Sequence, residues 1–369
     1  LSSGERATRE QVDVRARVGS PDWHDEVRDA VLAHLADFVR RDCIDRLGGA
    51  HVDVAAELLT GFLTGGKCVR STFMYLGWLC GAPEDEAALR AAASLELLHA
   101  FALVQDDVMD CSPLRRGRPA AHVVFGRWHA ERQLTGSAQR FGESAAILLG
   151  DLCLVWAEAM LRTSGVGEPA LARVWPRYDD MRTELAVGQF ADLVNSARQF
   201  PTLEAVLDVL RRKSGNYTVR RPLEIGAAMA GCPRPVLDAL AGYGSGIGEA
   251  FQLRDDLLDV FGSPALTGKS TGADLTAHKA TSVVVAAHRL AEPGLRRELE
   301  ELMSGPAPGP ADAERWRAMI VASGAVQWIE QLIAERFARA LTHLDVSGIP
   351  ETTRTALAGM AVVCTERAA

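Results

Sequence analysis

The sequence predicts an all-α fold, and three features carry that prediction. Most blocks between glycine and proline punctuation are longer than a strand, and no segment alternates apolar and polar residues convincingly with period two. Apolar side chains instead recur three and four positions apart, as Val27, Val31, Leu35, Phe38 and Val39 do, which places them on one face of a helix.

Taken in order, a polar arm covers residues 1–20 and a helical domain covers 21–369. The first helix runs from Pro21 to about Arg46 and stops at Gly48-Gly49; a second covers roughly Ala55 to Leu63 and stops at Gly65-Gly66. Lys67-Cys68-Val69-Arg70 opens an apolar helix that ends near Gly81-Ala82-Pro83, and a long helix runs from Glu84 to about Asp110. Cys111 to His122 reads as a basic loop. Helices follow over about Glu143 to Thr163, Ala170 to Ala197 and Thr202 to Ala230, with Gly215 a weak point in the last. After the turn Gly231-Cys232-Pro233, a helix spans Val236 to about Phe261, and Gly262 to His278 is a loop. Further helices are expected at Ala280 to Ala291 and Leu295 to Met303. Beyond the linker Ser304 to Pro310, two more cover Ala311 to Thr342 and Pro350 to Glu366.

The chain has 369 residues, 48% hydrophobic and 24% charged, enough to bury a large core. Length alone suggests about two domains. A net charge of -8 with no compensating basic stripe argues against nucleic acid as a partner and for small molecules. Seven scattered cysteines without a Cys-x-x-Cys pair read as reduced thiols in a cytoplasmic protein. No uninterrupted apolar run reaches the roughly 18 residues of a membrane span, so none is expected. Leu1 to Arg17 lacks the apolar stretch of a signal peptide.

The chemistry gathers at Gln105-Asp106-Asp107-Val108-Met109-Asp110, three carboxylates directly behind the apolar run Leu97 to Val104. On a helix, Asp106 and Asp110 share a face with Asp107 beside them. Anions so close repel one another and need a counter-charge, which a hard divalent cation supplies: Mg²⁺ takes oxygen ligands, commonly one or two carboxylates together with substrate phosphates. A second copy stands in Phe251-Gln252-Leu253-Arg254-Asp255-Asp256-Leu257-Leu258-Asp259. Two such clusters suggest facing walls of one metal site, so helices from both halves must converge and one bundle is favoured over two domains. His99, Ala102, Asp106 and Asp110 fall on one helical stripe, as do Gly248, Gln252, Asp255 and Asp259. Each stripe passes from uncharged to anionic, a cleft with a charged mouth and a dry interior that suits an amphiphile.

The cations are placed for a poly-anion. Lys67 and Arg70 follow two glycines at a helix start, where backbone N–H groups and the dipole favour phosphate. Arg115 and Arg116 follow the first acidic cluster, and Lys213 with Ser214, Lys269 and Lys279 complete the set.

This ordered series, over roughly residues 55 to 285, resembles the trans-isoprenyl diphosphate synthases, the family of farnesyl and geranylgeranyl diphosphate synthases. Gly65-Gly66-Lys67 with Arg70 resembles the family's homoallylic-diphosphate motif, and Asp106 to Asp110 with Arg115-Arg116-Gly117 its first aspartate-rich motif. Lys213-Ser214 resembles its Lys-Thr/Ser pair, and Phe251-Gln252 with Asp255 to Asp259, then Gly268-Lys269 and Gly272-x-Asp274, its second aspartate-rich motif.

The resemblance implies a single large α-bundle of the isoprenoid synthase type, typically a homodimer, that condenses isopentenyl diphosphate with an allylic diphosphate. It implies that Asp106, Asp110 and Asp255 bind three Mg²⁺ ions, with Asp107, Asp256 and Asp259 in or near the shell. Arg115, Lys213 and Lys269 would hold the allylic diphosphate; Lys67, Arg70, His99 and Arg116 would hold isopentenyl diphosphate. Gln252 and Ser214 would line the reacting carbons. Phe101 and Ala102, five and four places before the first motif, would floor the tail cavity; one aromatic with one small residue resembles enzymes making the C20 product, with farnesyl and longer-chain synthases as alternatives.

Three positions depart from the family pattern: Cys68 stands where Arg is usual, Ser71 where Pro is usual, and Gln105 where His is commonest. None removes a metal ligand. A class I terpene cyclase would carry an Asn/Ser/Glu metal motif in place of Asp255 to Asp259, and a non-catalytic regulatory subunit of a prenyl synthase would have lost motif aspartates; here both motifs are complete.

Overall fold

The computed structural model describes residues 18–20, 22–48, 53–198, 200–262, 275, 278–305, 309–345 and 348–366. Most of the polar arm, and Gly268, Lys269, Gly272 and Asp274, lie outside the described residues. Helices dominate the rest. α1 (Trp23–Phe38) passes through a π-helical turn (Val39–Cys43) into α2 (Ile44–Gly48), and α3 (Asp53–Leu63) and α4 (Val69–Leu79) follow. α5 (Glu86–Met109) is capped by Asp85, whose side chain accepts from the Ala88 N–H at 2.9 Å.

α5 ends where its acidic motif ends. Cys111 adopts a left-handed φ of 51°, and the Ser112 N–H reaches back to the Asp107 carbonyl at 2.9 Å while the Cys111 N–H reaches that of Val108. This is a Schellman-type closure, made here without glycine. The expected basic loop is a two-residue hairpin: β1 (Leu114–Arg115) pairs antiparallel with β2 (Arg118–Pro119). Its turn residues, Arg116 at φ 52° and Gly117 at φ 72°, have the paired positive φ of a tight hairpin turn.

α6 (Ala121–Glu131) was not expected from the sequence. α7 (Ala138–Arg162), α8 (Glu168–Ser196), α9 (Leu203–Val209), a π-helical stretch (Leu210–Arg220), α10 (Arg221–Met229) and α11 (Arg234–Phe261) then build the centre of the bundle. The predicted helix over Thr202 to Ala230 is continuous, but its middle is widened to π geometry, a form that recurs at functional sites. Beyond the loop come α12 (Ser282–Leu290), α13 (Pro293–Ser304), α14 (Pro310–Ala322), α15 (Ala325–Thr342) and α16 (Glu351–Thr365). The single helix expected from Ala311 to Thr342 is broken at Gly324, whose φ of 81° no helical residue adopts.

α11 joins two apolar clusters. Tyr243, Ile247 and Phe251 belong to the main core with α1, α4, α5, α7, α8 and α10, whereas Leu253, Leu257 and Val260 pack with α12 to α15. The Tyr243 hydroxyl donates to the Leu357 carbonyl at 2.6 Å, tying α11 to α16. Arg254, although inside the second acidic motif, faces away from the cleft: it forks onto Glu330 at 2.5 and 2.7 Å and donates to the Thr365 carbonyl at 2.8 Å. α5 and α7 are both long and apolar enough to cross a membrane by length and composition, although charged residues interrupt each of them. α5 is mostly buried within the bundle.

Candidate active site

A cavity of about 1600 Å³ opens among α4, α5, α7, α8, the π-helical stretch and α11. Asp106 and Gln105 line it from α5, and Asp255, Asp256, Asp259 and Gln252 line it from α11. The two acidic motifs, far apart in sequence, therefore front one space. Lys67, Arg70, His99, Arg115, Arg116, Lys213 and Ser214 line it too, as do Phe101 and Ala102.

The first acidic wall is tied to cations. Lys213 donates to Asp106 at 2.9 Å and to Asp192 of α8 at 2.6 Å, bridging two helices. Close backbone approach permits this, because a Cβ on Gly188 would sit 2.7 Å from the Lys213 backbone nitrogen. Lys279 donates to Asp110 at 2.5 Å. Burial pushes the Asp106 acid up, but the ammonium groups of Lys213 and Lys279 outweigh it and hold its pKa below the ordinary value.

Asp107 differs from its neighbours. It is fully buried and gripped by Arg115, whose Nε lies 2.9 Å from Oδ1; neither it nor Asp110, which Lys279 holds, is among the residues lining the cavity, so of this motif's acids Asp106 alone lines it. Burial raises its pKa. Its place in the structure is thus to fix Arg115, which also reaches Asp106 at 3.4 Å, rather than to face the cleft as expected for the metal shell.

On α11, Gln252 donates to Asp256 at 3.1 Å, and Ser282 at the start of α12 donates to the other Asp256 oxygen through Oγ at 2.6 Å. α11 itself sits hard against the π-helical stretch: a Cβ on Gly248 would lie 2.3 Å from the Gly215 carbonyl oxygen. That close approach sets the spacing between Ser214 and Gln252 across the cavity.

The opposite rim is cationic. Arg70 lies over the Tyr217 ring at 4.5 Å and donates to the Thr218 hydroxyl at 3.0 Å. Tyr217, from the π-helical stretch, has its pKa pushed up to about 12 by burial. His99 is held well below its ordinary pKa, first by burial and then by the charges of Arg70, Arg116 and Arg115. Desolvation likewise lowers Arg116. Of the two unusual residues of this rim, Ser71 donates to the Glu96 carboxylate at 2.7 Å, whereas Cys68, at a left-handed φ of 47°, lines the cavity and turns its thiol to the Gly66 carbonyl at 3.8 Å. Gln105 donates to the Ile147 carbonyl at 3.3 Å and to Asp151 at 3.2 Å, so it fastens α5 to α7.

Asp192, Glu96 and Tyr217 were missed in the sequence. Asp192 left a signal, since an acid within Phe190-Ala191-Asp192-Leu193-Val194 repeats the carboxylate-on-an-apolar-run pattern of Asp106. Glu96 and Tyr217 gave none. Among the described residues, no three Asp, Glu, His or Cys side chains close into a metal-ligand set on their own. The donors are nonetheless hard oxygens on facing walls, which fits Mg²⁺ completed by water and diphosphate oxygens.

Acidic walls over an apolar pocket, with a separate cationic rim, define a helical enzyme that grips a diphosphate head and shelters a hydrocarbon tail. The chain belongs to the polyprenyl synthetase family, whose sequence profile matches residues 53–320, and is an enzyme of the polyprenyl diphosphate synthase type. Enzymes of this family generally use Mg²⁺ and act on isopentenyl and allylic diphosphates.

It is similar to the geranylgeranyl diphosphate synthase of Mycobacterium tuberculosis strain H37Rv, at 30% identity over 88% of this chain and 86% of that protein. It is also similar to the geranylfarnesyl diphosphate synthase of Aeropyrum pernix, at 31% identity over 78% and 83%. The crystal structure of geranylgeranyl pyrophosphate synthase from Corynebacterium glutamicum, complexed with isoprenyl diphosphate and magnesium, superposes with a TM-score of 0.87 at 36% identity, covering 93% of this chain and 99% of that one.

Proposed function

We propose that the protein condenses isopentenyl diphosphate head-to-tail with an allylic diphosphate and stops at the C20 product, geranylgeranyl diphosphate. The carrying observation is that Asp106 and Asp255 front one cavity whose other rim holds Lys67, Arg70, His99 and Arg116. One head group therefore goes to the acidic walls and the other to the cations. Bound there as three ions on Asp106, Asp110 and Asp255, with Asp256 and Asp259 near the shell, Mg²⁺ would neutralise the departing diphosphate.

Arg115, Lys213 and Lys269 hold the allylic diphosphate, and Ser214 and Gln252 line the reacting carbons. The cavity wall of Phe101, Ala102, Leu154 and Leu185 keeps water from the allylic cation. The released diphosphate takes the proton lost after the isopentenyl double bond attacks. Phe101 floors the cavity, and the geranylgeranyl synthases among the relatives support the C20 assignment.

The same reading includes a cytoplasmic homodimer. An apolar face on α7 and α8, where Leu148, Val155 and Val187 are 63%, 61% and 47% exposed, supports the dimer. A second copy covers such a face better than water does. Labelled isopentenyl diphosphate incubated with each allylic primer and Mg²⁺, followed by chromatography of the dephosphorylated alcohols, tests the reaction. A C20 alcohol is expected, and no elongated alcohol from any primer would reject the reading.

A further inference from the structure

The cavity changes chemistry along its length. Asp192 marks its mouth on α8 through Lys213 and Asp106. Ten positions before Asp192 on the same helix, about 15 Å deeper at 1.5 Å per residue, stands Arg182. Between the two, Leu185, Ala186 and Phe190 give the cavity a mostly apolar wall, interrupted by Thr183 and Gln189; at Arg182 and Asp179 the lining becomes charged.

Arg182 does not stand alone. It pairs with Asp179 one helical turn away, donates across to Glu158 of α7 at 3.2 Å, and rests over the Tyr178 ring at 4.5 Å. Arg162 meets Glu158 from the far side at 3.4 Å. Two acids and two bases thus form a neutral, partly hydrated bar from α7 to α8, in which Arg182 and Asp179 line the cavity while Glu158 and Arg162 back them from the solvent side. Phe101 lies five positions from Asp106 on α5, about 7.5 Å down by the same rise, so the bar is the deeper of two tiers.

We infer that the bar of Asp179, Arg182 and Glu158 is a second floor of the tail cavity, a length-determining device below Phe101. A prenyl tail that passes Phe101 meets charges whose hydration and pairing it would have to displace with hydrocarbon, which is unfavourable. Elongation ends there. The inference rests on the prenyl-transfer reading above.

Product chain length measures it in four proteins: wild type, Phe101→Ala, Phe101→Ala with Arg182→Met, and Phe101→Ala with Arg182→Lys. Phe101→Ala is expected to add at least one five-carbon unit and then stop. Adding Arg182→Met, which keeps the bulk and removes the charge, should add at least one more, whereas Arg182→Lys should keep the Phe101→Ala limit. Should the Arg182→Met protein not fold, as judged by its melting curve, Glu158→Met breaks the same bar from α7.

A longest product that is the same with and without the intact bar overturns the inference, as does equal lengthening by Arg182→Lys and Arg182→Met. A wild-type protein that elongates no primer counts against the prenyl-transfer reading instead.

Discussion

The two rims of the cavity, the acidic one proposed for the allylic diphosphate (the prenyl donor) and the cationic one proposed for isopentenyl diphosphate (the acceptor), solve opposite electrostatic problems. On the donor rim, Arg115 and Lys213 have pKa values raised: burial works against each charge, and the carboxylates of Asp107 and Asp106 more than restore it. On the acceptor rim, burial lowers both His99 and Arg116 and neighbouring arginines add to it, with the Glu96 carboxylate offsetting only part of the effect at Arg116. One rim is compensated before any ligand arrives, and the other, where Glu96 is an acid among several cations, is compensated only in part. Under the proposed reading, a diphosphate with Mg²⁺ would suit the first, because the metal would replace Lys213 as the counter-charge of Asp106; a bare diphosphate would suit the second, because it would relieve repulsion already present.

The largest expected effect breaks the donor rim. Asp106→Ala strands Lys213 beside Asp192 and removes the proposed metal ligand, so kcat should fall about 10³-fold or more, as when electrostatic stabilisation of a departing charge is lost. The melting temperature should stay near that of wild type. Retained activity would show that Asp106 does not hold the metal.

The acceptor rim should respond in KM. Arg70→Met removes a charge-assisted contact of about 1.5–3 kcal/mol, so KM for isopentenyl diphosphate should rise roughly 10- to 100-fold. The Mg²⁺ concentration giving half-maximal rate should not move. A shift in that concentration would mean the rims are not separate.

This contrast was partly legible in the sequence. Residues lying along one helix were readable, because periodicity alone placed Asp106 with Asp110 and Asp255 with Asp259. α5 and α11 announced themselves by long apolar runs ending in acids. α6 did not, since its buried positions are only Ala121, Phe125 and His129, and a histidine in an otherwise thin apolar stripe hides the period. What one helix does for another was also hidden. Nothing local says that Asp107 turns inward to Arg115, that Asp192 meets Lys213, or that Tyr217 lies beneath Arg70; those are consequences of packing. The hairpin that sends Arg115 to one rim and Arg116 to the other was readable only as basic residues near a glycine.

Asp107 sharpens the comparison further, because it belongs to the donor motif without facing the ligand. Asp107→Asn leaves Arg115 partly unpaired in a buried place, so it should destabilise the fold by about 2–3 kcal/mol. Mg²⁺ dependence should change little. A large shift in the Mg²⁺ requirement with unchanged stability would instead make Asp107 a direct ligand.

The smallest effect tests the acceptor rim by pH. His99 is neutral in the fold because burial and the nearby arginines keep its pKa well below 6.5, while in the unfolded chain it titrates near 6.5. Above that pH both states bind no proton there and stability is flat. As pH falls below 6.5 the unfolded state takes up a proton that the folded state resists, and stability declines by up to about 1.4 kcal/mol per pH unit. His99→Gln should remove this share, so its unfolding free energy should fall about 1 kcal/mol less than wild type's between pH 7 and 5.5. Isopentenyl diphosphate should have the same flattening effect on the wild-type protein, since an anion among Arg70, Arg116 and His99 offsets the charges that keep the imidazole neutral. Parallel pH profiles for the two proteins, with and without the diphosphate, would mean that the acceptor rim is not the charge-strained surface described above.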